Sequence, residues 1–298
     1  MRRLKSVAVI GVGLIGGSLA LALKRAGAVN SITGYDRDSA ALERATALGV
    51  IDVAAASVTE AARGADLVVV AVPVRAIGPV LHDVALAMDA TTVVTDVGST
   101  KAAVVATARG ELRERFARFV PGHPVAGREA SGVDAANAEL FRGARVVLTP
   151  DAATAADATE VVRGAWEAAG ARVTTLGAED HDRILAAVSH LPHLLSFALV
   201  SEIAARPNAA ELLGYAAGGF RDFTRIAASS PEMWRDIALQ NARALLEEID
   251  RFSAQLAVFR ELVARGEGAG LERLMSEARA SRQALGAAGR RAPPGENR

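Results

Sequence analysis

Residues 7–23, VAVIGVGLIGGSLALAL, constrain this chain more than any other stretch: an apolar run passes directly into Gly11-x-Gly13-x-x-Gly16 and then into a helical pattern. A strand that turns tightly at Gly11, opens its backbone at Gly13 and packs closely on its following helix at Gly16 presents a helix N-terminus to an anion, as a dinucleotide-binding βαβ unit does. The glycine spacing alone is a weak signal. It gains force from the next apolar run, which ends in GYDRD and puts Asp36 twenty residues beyond Gly16, where a carboxylate can hydrogen-bond an adenosine ribose. Such an acid favours NAD over NADP by repelling a 2′-phosphate, while Arg37 beside it keeps NADP open. The expected cofactor contacts are Gly11, Gly13, Leu14, Ile15, Gly16, Asp36 and Arg37, joined by Val72 and Pro73 after a third strand.

The same N-terminal run follows a basic start and could pass for a signal or anchor. A membrane helix needs about 20 mostly apolar residues. This run is shorter and is broken by Gly11, Gly13, Gly16 and Gly17. No other stretch reads as comparable, so a protein of the cytoplasm with no membrane partner is expected. The absence of cysteine excludes disulfides, thiolate catalysis and Cys-ligated zinc, and fits a reducing compartment. The 34 basic residues balance 34 acidic ones, so no global field draws the chain to nucleic acid, and an anionic ligand must be caught locally.

Strand-like runs at 6–10, 31–35, 67–72, 92–95, 118–121, 146–148 and 173–176 alternate with helical patterns at 15–26, 39–48, 76–87 and 153–169. The apolar runs lack period-two alternation, as strands buried on both faces do. This alternation predicts a doubly wound, Rossmann-type parallel sheet of the α/β class. After about 177 the strand signals stop, and 179–205, 231–266 and 271–285 read as helices, with Pro231 at a helix start after Ser229 and Ser230. The expected organisation is a dinucleotide-binding domain over 1–178, an all-α substrate and dimerisation domain over 179–286, and a disordered tail over 287–298.

Ligands of an open α/β sheet sit beyond the carboxyl ends of its strands, so the loops after strands are where chemistry is expected. AVPV follows the third strand, DVGSTK the fourth and GHPVAG the fifth, which brings Ser99 and His123 towards one place. Gly122 and Pro124 forbid a helix around His123, and proline has no N–H for a central strand, so this segment is expected to be a loop. Ser99 lacks the Gly-x-Ser-x-Gly elbow of a serine hydrolase, and DVGSTK lacks the Gly-Lys-Ser/Thr order of a Walker loop. In the helical half, SHLPHLLSF places His190 and His193 on one helix face, without the further ligands of a zinc helix, and no metal is expected. GGFRDFTRIAASSPEMW gathers Arg221, Asp222, Arg225 and Trp234; the Asp222/Arg225 spacing suits either a surface ion pair or a guanidinium held for a carboxylate.

Taken in order, GVGLIGGSLA, GYDRD, VPV, DVGSTK, GHPVAGRE, SHLPH and GGFRDFTR make the chain, over roughly 7–285, resemble the prephenate/arogenate dehydrogenase family of tyrosine biosynthesis. The resemblance implies NAD-dependent oxidative decarboxylation of prephenate to 4-hydroxyphenylpyruvate, of arogenate to tyrosine, or of both. It implies that His123 accepts the ring-hydroxyl proton, that Ser99 orients histidine, substrate and nicotinamide, and that Arg225, positioned by Asp222, binds a substrate carboxylate. It places His190 and His193 near the substrate side chain. It also implies a homodimer in which Arg221 and Trp234 reach the neighbouring site, and a gate of ionic contacts at Glu129. No regulatory or mutase domain of the kind some members carry is expected, so tyrosine feedback, if present, is expected at the active site itself. Two alternatives stand beside this reading. One is a β-hydroxyacid dehydrogenase of similar layout, which relies on a lysine of its helical domain, whereas no lysine follows Lys101. The other is a non-catalytic NAD-binding sensor.

Overall fold

The computed structural model describes residues 3–127 and 130–288. Six strands, β1 (Leu4–Ile10), β2 (Val29–Tyr35), β3 (Val53–Ala54), β4 (Leu67–Val70), β5 (Val93–Asp96) and β6 (Phe119–Val120), form an all-parallel sheet in the order β3-β2-β1-β4-β5-β6. The order reverses between β1 and β4, which opens a ligand crevice at the strands' carboxyl ends. Both faces of the sheet are buried. In β1, Val7 and Val9 join one core cluster while Ala8 and Ile10 join the other; in β4, Leu67 and Val69 oppose Val68 and Val70 in the same way. Each alternate position therefore needs an apolar side chain, worth about 1.5–3 kcal/mol when fully buried, and the runs show no polar alternation.

Helices α1 (Leu14–Arg25), α2 (Ser39–Ala47), α3 (Val58–Ala62), α4 (Ile77–Ala87), α5 (Ala102–Leu112) and α6 (Ala156–Ala168) connect the strands. The Asp38 carboxylate caps α2 by accepting from the Ala40 and Ala41 amides at 3.0 and 3.4 Å. Helices α3 and α5 were not among the expected ones: five residues are too few to show a period, and the alanine-rich α5 has only a weak apolar stripe. The third expected strand also ends earlier, at Val70, which leaves Val72 in the loop.

Three further strands, β7 (Gly122–Val125), β8 (Arg145–Leu148) and β9 (Arg172–Thr175), form a separate sheet in which β7 runs antiparallel to β8 and β8 parallel to β9. This corrects the expectation of a loop around His123, which lies in β7 and pairs with Val147 of β8. Strand β7 lies at the edge of its sheet, where a proline costs no ladder bond.

The rest is helical: α7 (Ala178–Leu185), a π turn at Ala186–His190, α8 (Leu191–Ala204), α9 (Ala209–Gly214), α10 (Gly218–Thr224), a 3₁₀ turn at Arg225–Ala228, α11 (Pro231–Gln240), α12 (Ala242–Arg265) and α13 (Gly268–Ala288). Pro231 opens α11, and the Ser230 hydroxyl accepts from the Met233 amide at 3.4 Å. The helix expected over 231–266 breaks at Asn241, whose side chain turns inward to hydrogen-bond Asp182 of α7 and His190 of the π turn. The continuous segment Ala178–Ala204 is long and apolar enough to cross a membrane by length and composition, which corrects the expectation that only 7–23 approaches that character. Its buried positions include His181, Asp182, His190 and Ser196, each hydrogen-bonded within the fold. The chain divides into two compact units, Met1–Leu245 and Leu246–Arg298; the second holds the rest of α12 and α13. The tail expected from 287 lies, from 289 onward, outside the described residues.

A fully buried ion pair fixes the carboxyl end of β5. Lys101 Nζ bonds the Asp96 carboxylate and donates to the Gly122 carbonyl at 2.7 Å, while Asp96 accepts from the Gly98 and Gly122 amides at 2.8 and 3.1 Å. Burial pulls the Lys101 ammonium below its usual pKa, and the charges of Asp96 and Asp182 oppose that pull. Removing one partner strands the other charge, so Lys101→Met is expected to cost about 3–5 kcal/mol by urea denaturation, with Asp96→Asn added to it recovering part of the loss. A single variant as stable as wild type would remove the pair from this role.

Candidate active site

The glycine turn between β1 and α1 has little spare room. Gly11 has φ +95, and a Cβ there would lie 2.3 Å from the Ala71 carbonyl oxygen; a Cβ at Gly16 would lie 2.1 Å from that of Gly11. Gly13 is the opposite case, with open space around its Cα and no side-chain cap on the helix start behind it. Asp36, one residue beyond β2, is held against this turn: its carboxylate accepts from the Val12 and Asp38 amides, both at 3.0 Å. Leu14 and Ile15 are half-buried at the start of α1, Val72 lies against Gly11, Pro73 opens a 3₁₀ turn, and Arg37 is exposed. Open space at Gly13, a helix start without a side-chain cap and an adjacent carboxylate fit the pyrophosphate and ribose of a dinucleotide.

A polar cluster lies beyond β5 and β6. His123, 9% exposed, places Nδ1 2.8 Å from His181 Nε2, and His181 Nδ1 is 2.7 Å from Asp182 Oδ1. Asp182 also accepts from the Lys101 and Ala102 amides at 2.7 and 2.9 Å, so the loop that carries Ser99 and the helix that carries His181 share one carboxylate. Burial holds the His123 imidazole well below its ordinary pKa, reinforced by the neighbouring His181, Lys101 and His190. Burial would raise the Asp182 carboxyl, but the His181 hydrogen bond and the two amides outweigh it and hold it below the usual value. His123 is therefore neutral and Asp182 ionised at neutral pH.

His190 and His193 both meet Trp234. His193 stacks on the indole with centroids 3.6 Å apart, and His190 meets it edge-on at 6.1 Å. Asn241 Nδ2 donates to the Asp182 carbonyl at 2.8 Å and to His190 Nδ1 at 3.0 Å. Burial lowers His190 to about 4, against partial opposition from Asp182; burial also lowers His193, with a contribution from the Arg225 charge. Ser99 is half-buried, and its backbone interacts with His190. Thr100 Oγ1 donates to Gln240 Oε1 at 2.8 Å and ties this loop to α11. Arg221 and Asp222 are exposed on α10 and Arg225 opens the next turn; the Arg221 guanidinium rests on the Ala216 carbonyl. Glu129 lies outside the described residues.

Reading by motif missed His181, Asp182, Lys101, Asp96 and Asn241 as members of this cluster. His181 and Asp182 stand in AEDHDR, which reads as the charged first turn of a surface helix, yet they are 0% and 4% exposed. The readable signal was in DVGSTK: an acid and a lysine five residues apart at the end of an apolar strand have to be paired if they are buried.

Two buried histidines, His123 and His190, and the half-buried His193 have depressed pKa values, which makes stability depend on pH. Between about 6.5 in the unfolded chain and about 4 for folded His190, the unfolded state binds more protons, so stability falls as pH drops through that window. His190 alone is expected to remove about 2 kcal/mol between pH 7.5 and pH 5, and His123 and His193 add in the same direction. Thermal unfolding at the two values checks this, and an unchanged Tm would contradict it.

Comparison with known proteins agrees with this arrangement. Residues 19–175 match the family described as prephenate dehydrogenase, nucleotide-binding domain, and residues 177–277 match prephenate dehydrogenase, dimerization domain. The chain is 40% identical to a cyclohexadienyl dehydrogenase of Zymomonas mobilis over 94% of this chain and 96% of the relative. Among solved structures, prephenate dehydrogenase from Aquifex aeolicus in complex with hydroxyphenyl propionate and NAD+ superposes with a TM-score of 0.88 at 35% identity, covering 94% of this chain and 98% of that one. Synechocystis arogenate dehydrogenase superposes with a TM-score of 0.79 at 30% identity, covering 94% and 99%. A nucleotide-binding sheet, a buried histidine beyond it and matches along nearly the whole length agree: the chain belongs to the prephenate dehydrogenase family.

Proposed function

We propose that His123 is the general base of an NAD-dependent oxidative decarboxylation of prephenate, arogenate or both. The observation that carries this is an imidazole kept neutral by burial and anchored at Nδ1, on the segment that follows the sheet's last strand. NAD, bound at the Gly11–Gly16 turn, supplies the hydride acceptor. Hydride leaves the ring carbon that bears the hydroxyl while His123 takes the hydroxyl proton. The bond to the ring carboxylate then breaks, its electron pair aromatises the ring as CO2 departs, and the proton returns to the phenolic oxygen.

Ser99, in the loop beyond β5, orients histidine, substrate and nicotinamide. Arg225, with Asp222 beside it, takes a substrate carboxylate, and a guanidinium suits that geometry better than an ammonium would. His193, stacked on Trp234, and buried His190 border the substrate side chain. Family membership sets aside the β-hydroxyacid dehydrogenase alternative, and the assembled histidine cluster speaks against a non-catalytic sensor. The functional division is placed between 178 and 179, Arg221 and Trp234 are assigned to the neighbouring subunit's site, and Glu129 to an ionic gate. A homodimer is supported by the matched dimerization region and by apolar side chains standing exposed on α12 and α13, among them Leu256, Val263 and Met275. The cytoplasm is the assigned compartment.

His123→Asn should lower kcat about 10²- to 10⁴-fold while NAD affinity stays unchanged; near wild-type turnover would remove His123 from the mechanism. A base must be neutral to act, so the acid limb of kcat/KM is expected below pH 6.5, and a limb above that value would contradict the burial argument. Arg225→Ala should raise KM about 10- to 100-fold for the loss of a charged hydrogen bond. An unchanged KM would return Arg225 to a surface role. Initial rates with prephenate and arogenate, each with NAD and NADP, identify the substrate and cofactor.

A further inference from the structure

Asp182 takes part in four of a chain of five hydrogen bonds. Its carboxylate accepts from two backbone amides and faces His181 Nδ1, its carbonyl accepts from Asn241, and Asn241 in turn donates to His190. Main-chain amides can only donate, so the proton arrangement can be read outward from this carboxylate. Asp182 is held ionised and is acceptor-only, which places the His181 proton on Nδ1. With its donor turned to Asp182, the His181 ring presents Nε2 to His123 as an acceptor. That nitrogen lies 2.8 Å from His123 Nδ1, and a bond between two ring nitrogens needs one proton, which must come from His123.

We propose that His181 and Asp182 are positioning residues that hold His123 in its Nδ1–H tautomer, leaving Nε2 as the ring nitrogen that receives the substrate proton. The proposal rests on His123 being the base and names how the base is prepared. Without the relay, His123 would favour the Nε2–H tautomer that predominates in free histidine and would offer its acceptor to the protein interior. The relay also fixes the ring plane, because a ring bonded at Nδ1 within a buried strand cannot flip. When His123 is protonated, its Nδ1–H still points at His181 Nε2, with Asp182 behind it, so the transient cation forms without rearrangement. No covalent bond changes in these two residues, and the proton taken at Nε2 need not travel along the chain. The Asn241 contacts act alongside: an amide nitrogen bonded to both the Asp182 carbonyl and His190 Nδ1 makes His190 an acceptor at Nδ1 and orients the Asp182 backbone.

The direct test is ¹⁵N NMR of histidine-labelled full-length protein with NAD bound, the His123 signals being assigned by their loss in His123→Asn. The expected spectrum shows His123 protonated at Nδ1 and bare at Nε2. A wild-type His123 protonated at Nε2 would overturn the proposal whatever happens to activity. His181→Phe keeps an aromatic ring in the site but accepts no hydrogen bond, and should move His123 to the Nε2–H tautomer. It should also lower kcat about 10²-fold, with KM for NAD and prephenate changed less than about 3-fold. A His181→Phe variant with unchanged kcat would also refute the relay. Failure of the base reading shows differently, as an active His123→Asn, whereas failure of the relay leaves His123→Asn inactive and His181→Phe active. Should His181→Phe fold poorly, the wild-type tautomer decides the matter unaided.

Discussion

The buried pair of Lys101 and Asp96 is the constraint from which the active end of this molecule is built. Its two charges are fully buried, and they survive there because backbone groups add hydrogen bonds to the pairing: the Gly98 amide, and the amide and carbonyl of Gly122. Those backbone groups belong to the loop after β5 and to the residue before His123. A single ion pair thus sets the start of the edge strand carrying the imidazole and the path of the Ser99 loop. The Lys101 amide continues the chain of contacts to Asp182, and Asp182 to His181 and back to His123.

The two ends of the site use different physics. At the cofactor end the requirement is space: a Cβ at Gly11 or Gly16 would collide with backbone, and Gly13 is left open, so the turn works by what it lacks. At the proton-transfer end the requirement is polarity in a dry place. Burial pushes His123 and His190 towards neutrality, while the amides around Asp182 keep a carboxylate charged in the same neighbourhood. Opposite charge states held side by side by opposite environments are what acid–base chemistry near neutral pH asks of a protein. The cost is borne as stability at acid pH.

Much of the fold was legible in the sequence. Strands buried on both faces left continuous apolar runs, and the glycine turn with Asp36 marked the first βαβ unit, because each depends on local chemistry. Two features were read wrongly for a shared reason. Pro124 argued for a loop, yet β7 lies at a sheet edge where the missing N–H costs nothing; the helix read through 231–266 breaks because Asn241 is needed by His190 and Asp182, far away in sequence. The candidate site was half visible. His123, Ser99, His190 and Arg225 stand in recognisable motifs, whereas His181 and Asp182 sit among surface-like charges and earn their place only through tertiary contacts. Position along the chain does not reveal that a helix start has been driven into the core.

The most direct test of this account is a crystal structure of the protein with NAD and a 4-hydroxyphenyl product analogue bound. The account predicts His123 Nε2 within about 2.6–3.2 Å of the phenolic oxygen, with the nicotinamide beside the ring and Nδ1 still bonded to His181. A phenolic oxygen beyond reach of His123, or an imidazole turned with Nδ1 towards the ligand, would contradict it.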